Sequence, residues 1–306
     1  MTILTNSSVQ SWNANTTIIP ASEVVPNALA LDSRVCTRVP APQGDASSVR
    51  VPFIPTDPTA EIVAEGAEIP VGDVTRAEIA VYSRKIGLIQ VISNEAYSRT
   101  IDADNGSASV PDLLTDSLRR AVTAKADAMM LTAPARADDP YAPGLTVDTT
   151  QAVVDGGNIT TTLDPLVDAL AAISDNGAQP TAILTSNSGW ARLQKMRYTD
   201  GRPVVNPDAQ TDATPLLAGL PVIRNAAMPR DLLLIVDASN ILTTFNDVNV
   251  TVDTSSRFDT DSTAIRVTGR IGWAVIQRGR IARLTINRTD TDTTNTNGKT
   301  KITVGA

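Results

Sequence analysis

The sequence predicts an α+β chain of two lobes, one of them discontinuous. Three observations carry that prediction. Residues 79–92, "IAVYSRKIGLIQVI", read as one long strand. Residues 110–133, "VPDLLTDSLRRAVTAKADAMMLTA", place apolar side chains at helical spacing. Between 145 and 245 strand and helix signals take turns, and from 248 the period returns to two, as expected of late strands that partner the early ones.

The elements follow in order. Residues 1 to about 20 are rich in Asn, Ser and Thr around a solitary Trp12. Alone, such a segment cannot offset its ordering entropy, so it is expected to be loose or to order against another subunit, with Trp12 as the anchor. Residues 21–36 are weakly helical and interrupted by Pro26. "SVRVPFI" (48–54) puts Val49, Val51 and Phe53 on one face, and Pro52 removes a ladder donor, which suits an edge strand. In the long strand Ser83, Arg84 and Lys85 predict a wet end, and Ile86 onward predicts a buried one. The strand then projects from its lobe as one side of a two-stranded arm.

The arm's tip, "FIPTDPTAEIVAEGAEIPVGDVTR" (53–76), holds three prolines, two glycines and five carboxylates against one arginine. Connections of this length without secondary structure are uncommon unless they have a function or are disordered. The helix at 110–133 opens with Pro111 and Asp112 and has Leu114, Leu118, Val122 and Met129 on one face, with Asp116 placed to pair with Arg120. In the alternating block, "TLDPLVDALAAISDNG" predicts a helix with an Asp164 cap, Pro165 at its first position and Gly177 past its end. "TAILTS" predicts a buried strand, and "SNSGWARLQKMR" a second helix with Trp190, Leu193 and Met196 inward. "GLPVIRN" and "DLLLIVDA" are further strands, then "VNVTVDTS" and the run 264–286.

Composition narrows the function. With 306 residues and 42% hydrophobic content the chain can bury a real core, and no apolar run approaches the ~18 residues of a membrane span. No basic-then-apolar secretory signal opens it. Histidine is absent, which removes every imidazole-dependent triad and metal site. A net charge of −7 argues against a surface that grips DNA phosphates, though not against one that faces DNA. The single Cys36 excludes an intrachain disulfide.

Local motifs add no chemistry. "DTDTTNTNG" from Asp290 puts Gly298 at the ninth position, with no later glutamate to complete a calcium loop. "RGRIAR" (278–283) predicts a solvent-facing strand rather than a nucleic-acid patch. Ser186 and Ser188 precede a helix with no base to activate them, so capping is their expected role. No catalytic, cofactor or metal residue emerges.

In order and spacing, the segments resemble the major capsid proteins of tailed double-stranded-DNA bacteriophages, the Hong Kong 97 fold. "RVPAPQGDASSVRVPFI" (38–54), "AEGAEIP" (64–70) with "YSRKIGLIQVISNEAYS" (82–98), "ADAMML" (126–131) and "PGL" (143–145) resemble that family's successive landmarks. "QPTAILTSNSGWARLQKMRYTDGRPVV" and "PLLAGLPVIRNAAMP" are similar to its axial domain, and the likeness spans about residues 20–290.

The resemblance implies an N-terminal arm with a short helix (1–47), an extended loop (48–85), a peripheral domain on a spine helix (86–144 and 246–290), an axial domain (145–245) and a polar tail (291–306). It implies a structural protein rather than an enzyme, self-assembling into pentamers and hexamers of an icosahedral shell. The shell lies in the virion, is built in the host bacterial cytoplasm, encloses DNA without sequence-specific binding and involves no membrane and no cofactor. The loop would lie on a neighbouring subunit through Glu61, Glu65, Gly66, Glu68, Asp73 and Arg76, with Arg84, Arg257 and Arg266 as candidate partner arginines.

Two departures from the family pattern carry expectations. Some members weld neighbours through a lysine late in the loop; here 54–84 has no lysine and Glu78 falls near that position, so the contacts are expected to be non-covalent. The short arm, in place of a long charged scaffolding segment, implies a separate scaffolding protein, alongside a portal and possible decoration proteins. Two alternatives stand: an encapsulin-like compartment of the same fold enclosing cargo enzyme, and a carboxylate-based αβ enzyme housed in 145–245.

Overall fold

The computed structural model describes residues 2–3, 28–40, 48–55, 75–97, 100–103, 106–136, 140–147, 153–197, 203–205, 215–245 and 249–286, with single positions at 58, 60, 62, 63, 66 and 201. In chain order the elements are β1 (Thr2–Ile3), β2 (Thr37–Arg38), β3 (Ser48–Phe53), β4 (Ala77–Ser93) and the one-turn helix α1 (Asn94–Tyr97). The hairpin β5 (Thr100–Ala103) and β6 (Gly106–Ser109) leads into α2 (Val110–Thr132). Then come β7 (Val154–Ile159), α3 (Asp164–Asp175), β8 (Ala182–Thr185), α4 (Asn187–Lys195), β9 (Leu216–Leu217), β10 (Leu220–Arg224) and β11 (Leu232–Val236). The chain ends its described part with β12 (Ile241–Phe245), β13 (Asn249–Arg257), β14 (Ser262–Val275) and β15 (Ala282–Ile286).

These elements form two compact units, residues 1–149 with 237–277, and residues 150–236 with 278–306. The first contains a seven-stranded sheet in the order β1-β4-β14-β12-β2, with β13 added on β14 and β3 on β4. Strand β4 runs unbroken for 17 residues, and its Ser83–Ser93 stretch is laddered antiparallel to β14. Helix α2 runs 23 residues and buries Leu118 and Val122 against Ile265 and Val267, with Leu114, Ile86 and Val250 packed around them. Each such side chain contributes about 1.5–3 kcal/mol on burial.

The helical face differs from the expected one near its end. Ala126, Met130 and Leu131 are buried, whereas Met129 is half-exposed, because the apolar stripe drifts as the helix continues. The ion pair also shifts by one residue: Asp116 meets Arg119 at 3.8 Å, not Arg120.

In the second unit a six-stranded sheet runs β7-β15-β11-β8-β10-β9. Its central strand β8 has four buried side chains, and Leu166, Ile173, Ile183, Leu193, Leu233 and Leu284 fill the surrounding core. Ser186 caps α4 as expected, its hydroxyl accepting from Gly189 N at 2.9 Å. Ser188 lies inside that helix, exposed, and caps nothing. Asp164 is not a cap either: Leu163 holds that position, and Asp164 is the first helical residue with Pro165 after it. The far end of α3 closes as the sequence implies, with Gly177 at φ +79° and Ala178 N donating to Ile173 O at 3.0 Å.

Two strands fall in the sheet opposite to expectation. β12 was placed by sequence in the axial block ending at 245, yet it pairs antiparallel with β14 from Ile241↔Val275 to Phe245↔Ile271. All five of its side chains are buried, so no alternation marks which sheet it serves. The run 264–286 divides rather than continuing as one element of the first unit. A single 3-10 turn at Arg278–Arg280 breaks it, and β15 pairs with β11 and β7 of the second sheet. The turn is fixed by Asn176, which donates to Gly279 O at 2.9 Å and accepts from Arg280 Nε at 3.1 Å. Arg278 is buried there, so "RGRIAR" is not a solvent-facing strand.

Candidate assembly surfaces

The root of the loop is set by β3 and β4. Their ladder runs from Ser48↔Tyr82 to Phe53↔Ala77; β3 alternates exposed with half-buried side chains from Val49 on, whereas in the paired part of β4 only Glu78 is exposed. Val81 is fully buried with Val39, Leu242 and Ala274, and Val49, Val51, Ile79 and Ile276 pack on that cluster. Gln277 Nε2 donates to Pro55 O at 3.0 Å. The paired part of the loop is therefore seated on its own unit rather than projecting as a free arm, which corrects the sequence expectation for 48–53 and 77–85. The predicted wet-to-buried gradient along β4 holds only in part: Lys85 is exposed and Ile92 buried as expected, but Val81 and Ser83 are buried, while Leu88 and Ile89 are 40% and 61% exposed. Strand β3 and Tyr141 cover the first stretch, and neither contact is visible in a local pattern.

Gly272 permits this seating. A Cβ there would stand 2.5 Å from Tyr82 O, closer than any side chain tolerates. Next to it the Tyr82 and Tyr141 rings meet edge to face at 6.3 Å, and the Arg84 guanidinium lies 4.0 Å over Tyr141. Arg84 is consequently half-buried and engaged, not the exposed cation expected. Glu78, at the position of interest for cross-linking, faces solvent and pairs with Arg50 at 3.6 Å, a screened contact of little energetic weight.

Beyond the root, Ile54 and Ile62 are exposed, Gly66 adopts φ +80° and Arg76 is exposed. Glu61, Glu65, Glu68, Asp73 and Trp12 lie outside the described residues. Arg257 is exposed at the end of β13, and Arg266 is exposed on β14. Of the predicted loop residues only Gly66 and Arg76 fall among the described residues.

The structure does assemble a cationic surface that the sequence reading missed in part. On β14, Ile265 and Val267 face α2, so Arg266, Thr268 and Arg270 face the opposite way. Cross-strand pairing places Lys85 beside Arg270, Gly87 beside Thr268, and Ile89 beside Arg266. Thr251 of β13 completes the last row. Lys85, Arg266 and Arg270 are exposed on this face, and among the described residues none has a carboxylate within ion-pair distance. The signal that could have found Lys85 and Arg270 was period two itself, once the register of β4 on β14 is known.

The titratable groups near these surfaces are held within the fold. Cys36 is buried, and its thiol is pushed up to about 11 by burial, despite the Thr243 hydroxyl 3.2 Å away. Asp32 is held below its ordinary value chiefly by its hydrogen bond from Arg34, with 2.8 Å between Nη2 and Oδ2. Among the described residues no group of His, Cys, Asp or Glu side chains is placed to hold a metal ion, and no helix is long and apolar enough to cross a membrane.

Solved structures share this arrangement. A chain of Mycobacterium phage Bobi superposes with a TM-score of 0.65 at 16% identity, covering 93% of this chain and 97% of that one. A chain described as the capsid of a native GTA particle gives 0.66 at 16% identity with the same coverage, 93% and 97%. A chain of Microbacterium phage Oxtober96 gives 0.66 at 16%, covering 92% and 97%. At such identities the likeness concerns the fold, which is the α+β Hong Kong 97 type. No curated protein matches in sequence. The model of the phage capsid family matches residues 33–286, most of the chain, and the chain belongs to that family of structural proteins.

Proposed function

We propose that this chain is the shell-forming subunit of an icosahedral phage capsid, gathering as pentamers and hexamers around double-stranded DNA. In this reading the first unit is the peripheral domain and the second the axial domain. The loop and the N-terminal arm, anchored by Trp12, reach neighbouring copies. Glu61, Glu65, Glu68 and Asp73 meet cations of those neighbours without covalent linkage, while Gly66 and Arg76 shape the loop's path. Contacts of this kind are heterologous and close into rings, and many modest ones per subunit give a durable shell.

The observation that carries the reading is a hairpin, firmly rooted in one unit, that leads into a 23-residue connection with five carboxylates and one arginine. Such a segment makes physical sense when it is bound by something cationic. The acidic chain repels the genome, so DNA is enclosed without being gripped. Catalysis forms no part of the role. A scaffolding protein, a portal and decoration proteins are further partners on the strength of family resemblance alone, as is assembly in the bacterial cytoplasm.

Negative-stain electron microscopy of the purified native particle tests the reading. Closed icosahedral shells built from this chain are expected. A chain that stays monomeric at every salt, pH and concentration, with no shell in lysates of infected or expressing cells, would overturn it.

A further inference from the structure

Strand β4 has two edges with different fates. One is laddered to β14 throughout Ser83–Ser93. The other is occupied by β1 at Val91 and Ile92, and ahead of the β14 ladder Ala77–Tyr82 pair with β3. Between them, no described residue pairs with that edge. Arg84 is covered by Tyr141, but Lys85, Gly87, Leu88 and Ile89 are exposed. An open stretch of strand of this kind presents unpaired backbone donors and acceptors and templates the addition of another strand.

The chemistry beside this edge selects for an acidic strand. Lys85 and Arg270 are directly opposite one another, a like-charge pair that is unfavourable until an anion joins it. Arg266 extends the positive field four rungs further along the same face. The other face offers apolar Leu88, 40% exposed. The second open edge of the sheet, on β13, is the poorer host, because it carries Asp253 and a register irregularity between Asp253 and Arg257.

One segment of this same chain fits. In "EIVAE" (61–65), period two puts Glu61, Val63 and Glu65 on one face and Ile62 and Ala64 on the other. Ile62 is fully exposed within its own chain. Laid along β4, the segment sets its glutamates on the cationic face and Ile62 on the side of Leu88.

Its own loop reaches that edge only when drawn taut. Eight residues from Phe53 to Glu61 span at most about 29 Å. Lys85 lies eight rungs past Ala77, about 26 Å along β4. The opposite direction would need Glu61 to reach Ile89, about 40 Å. Pro55 is moreover tethered to Gln277, and Gly66 turns left-handed immediately after Glu65.

We infer that Lys85–Gln90 of β4 is the acceptor edge for residues Glu61–Glu65 of a second copy, added as an extra strand. The inference rests on the capsid reading and specifies how and where the loop is held. Glu61 and Glu65 lie symmetrically about Val63, and Lys85 and Ile89 about Gly87, so Val63 faces Gly87 whether the added strand is parallel or antiparallel.

That symmetry supplies the test. The double variant Val63→Cys, Gly87→Cys is assembled and run on a non-reducing denaturing gel. A Cβ on Gly87 meets Thr268 Cγ2 at 3.4 Å and Val267 O at 3.7 Å, both ordinary contacts, so the substitution is tolerated. Directly opposed strand residues stand within disulfide reach, so most chains are expected to join into reducible multimers. Val63→Cys with Thr251→Cys, on the β13 edge, is expected to stay unlinked. A charge swap reads the same contact without cysteines: Lys85→Glu with Arg270→Glu raises the concentration needed for assembly about tenfold, and Glu61→Lys with Glu65→Lys restores it.

Shells that form normally without the Val63–Gly87 link overturn the inference and leave the capsid reading intact. So do charge-reversed shells that assemble normally and lose only DNA retention, which would assign the cationic face to nucleic acid. Absence of shells from the unsubstituted chain would instead sink the capsid reading itself.

Discussion

Replacing Gly144 by alanine drives a Cβ into the backbone that terminates α2. The new carbon would stand 2.5 Å from Leu131 O, 2.6 Å from Leu131 C and 2.6 Å from Ala133 N. None of these is a flexible side chain, so the 143–147 segment must move away. Restoring an ordinary 3.4 Å contact from 2.5 Å takes a shift of about 0.9 Å. Four hydrogen bonds lie in its path: Gly144 N to Ala133 O at 2.8 Å, Leu145 N to Met130 O at 2.9 Å, Thr146 N to Leu131 O at 3.0 Å, and the Thr146 hydroxyl to Leu131 O at 2.7 Å. Lengthened by that amount they cease to be hydrogen bonds, at a net loss of about 1 kcal/mol each.

Some rotation will preserve one of them, which leaves a destabilisation of about 3 kcal/mol. For a unit of this size that corresponds to a fall in Tm of roughly 6–12 °C by differential scanning calorimetry. Gly87→Ala, in the same unit with no neighbour nearer than 3.4 Å, is the matched control and is expected to melt no lower than the parent. If Gly144→Ala melts within about 2 °C of Gly87→Ala, the close approach of 144 to the end of α2 is not what holds that segment, and the reasoning fails.

Two further outcomes follow from the geometry. The buried Cys36 thiol, pushed up to about 11 from 9.0, should be inert to disulfide reagents at pH 8 in the folded chain and react at once on denaturation. Because the folded thiol keeps its proton after the unfolded one has lost it, Cys36 lowers stability as pH rises from 9 towards 11 and has no effect below 9. Urea melts across that window should show a slope that Cys36→Ser flattens. Particles boiled in detergent are expected to run as single chains, since Glu78 occupies the loop position of interest and 54–84 holds no lysine; a ladder resistant to reductant would show a covalent weld.

The long elements were legible because their signals are local and repeated. Strand β4 and helix α2 run for 17 and 23 residues, long enough for period two or 3.6 to stand out. The Ser186 cap and Gly177 terminus were legible for a related reason, since each acts within three or four residues of itself. Partnership was not legible. Five buried residues at 241–245 carry no mark of which sheet they join, and the division of 264–286 depends on Asn176, about a hundred residues away. The surface chemistry was half-legible for the same reason. Arg266 was picked out as an exposed strand arginine. Arg84 was wrongly expected to be free because Tyr141 reaches it only in three dimensions. Lys85 and Arg270 became a pair only through register.

In the proposed shell, the length of β4 would bear on how load passes between subunits. A pull on the loop enters at Ala77 and is directed along the strand axis, perpendicular to the hydrogen bonds that join β4 to β14. Loaded in that direction the eleven paired positions from Ser83 to Ser93 share the force and must yield together, whereas a strand peeled from its end would give way one rung at a time. On the proposed assembly, tension between subunits would thereby be carried in shear, deep into the body of each one, and the weakest link under load would be the grip at the far end of the loop.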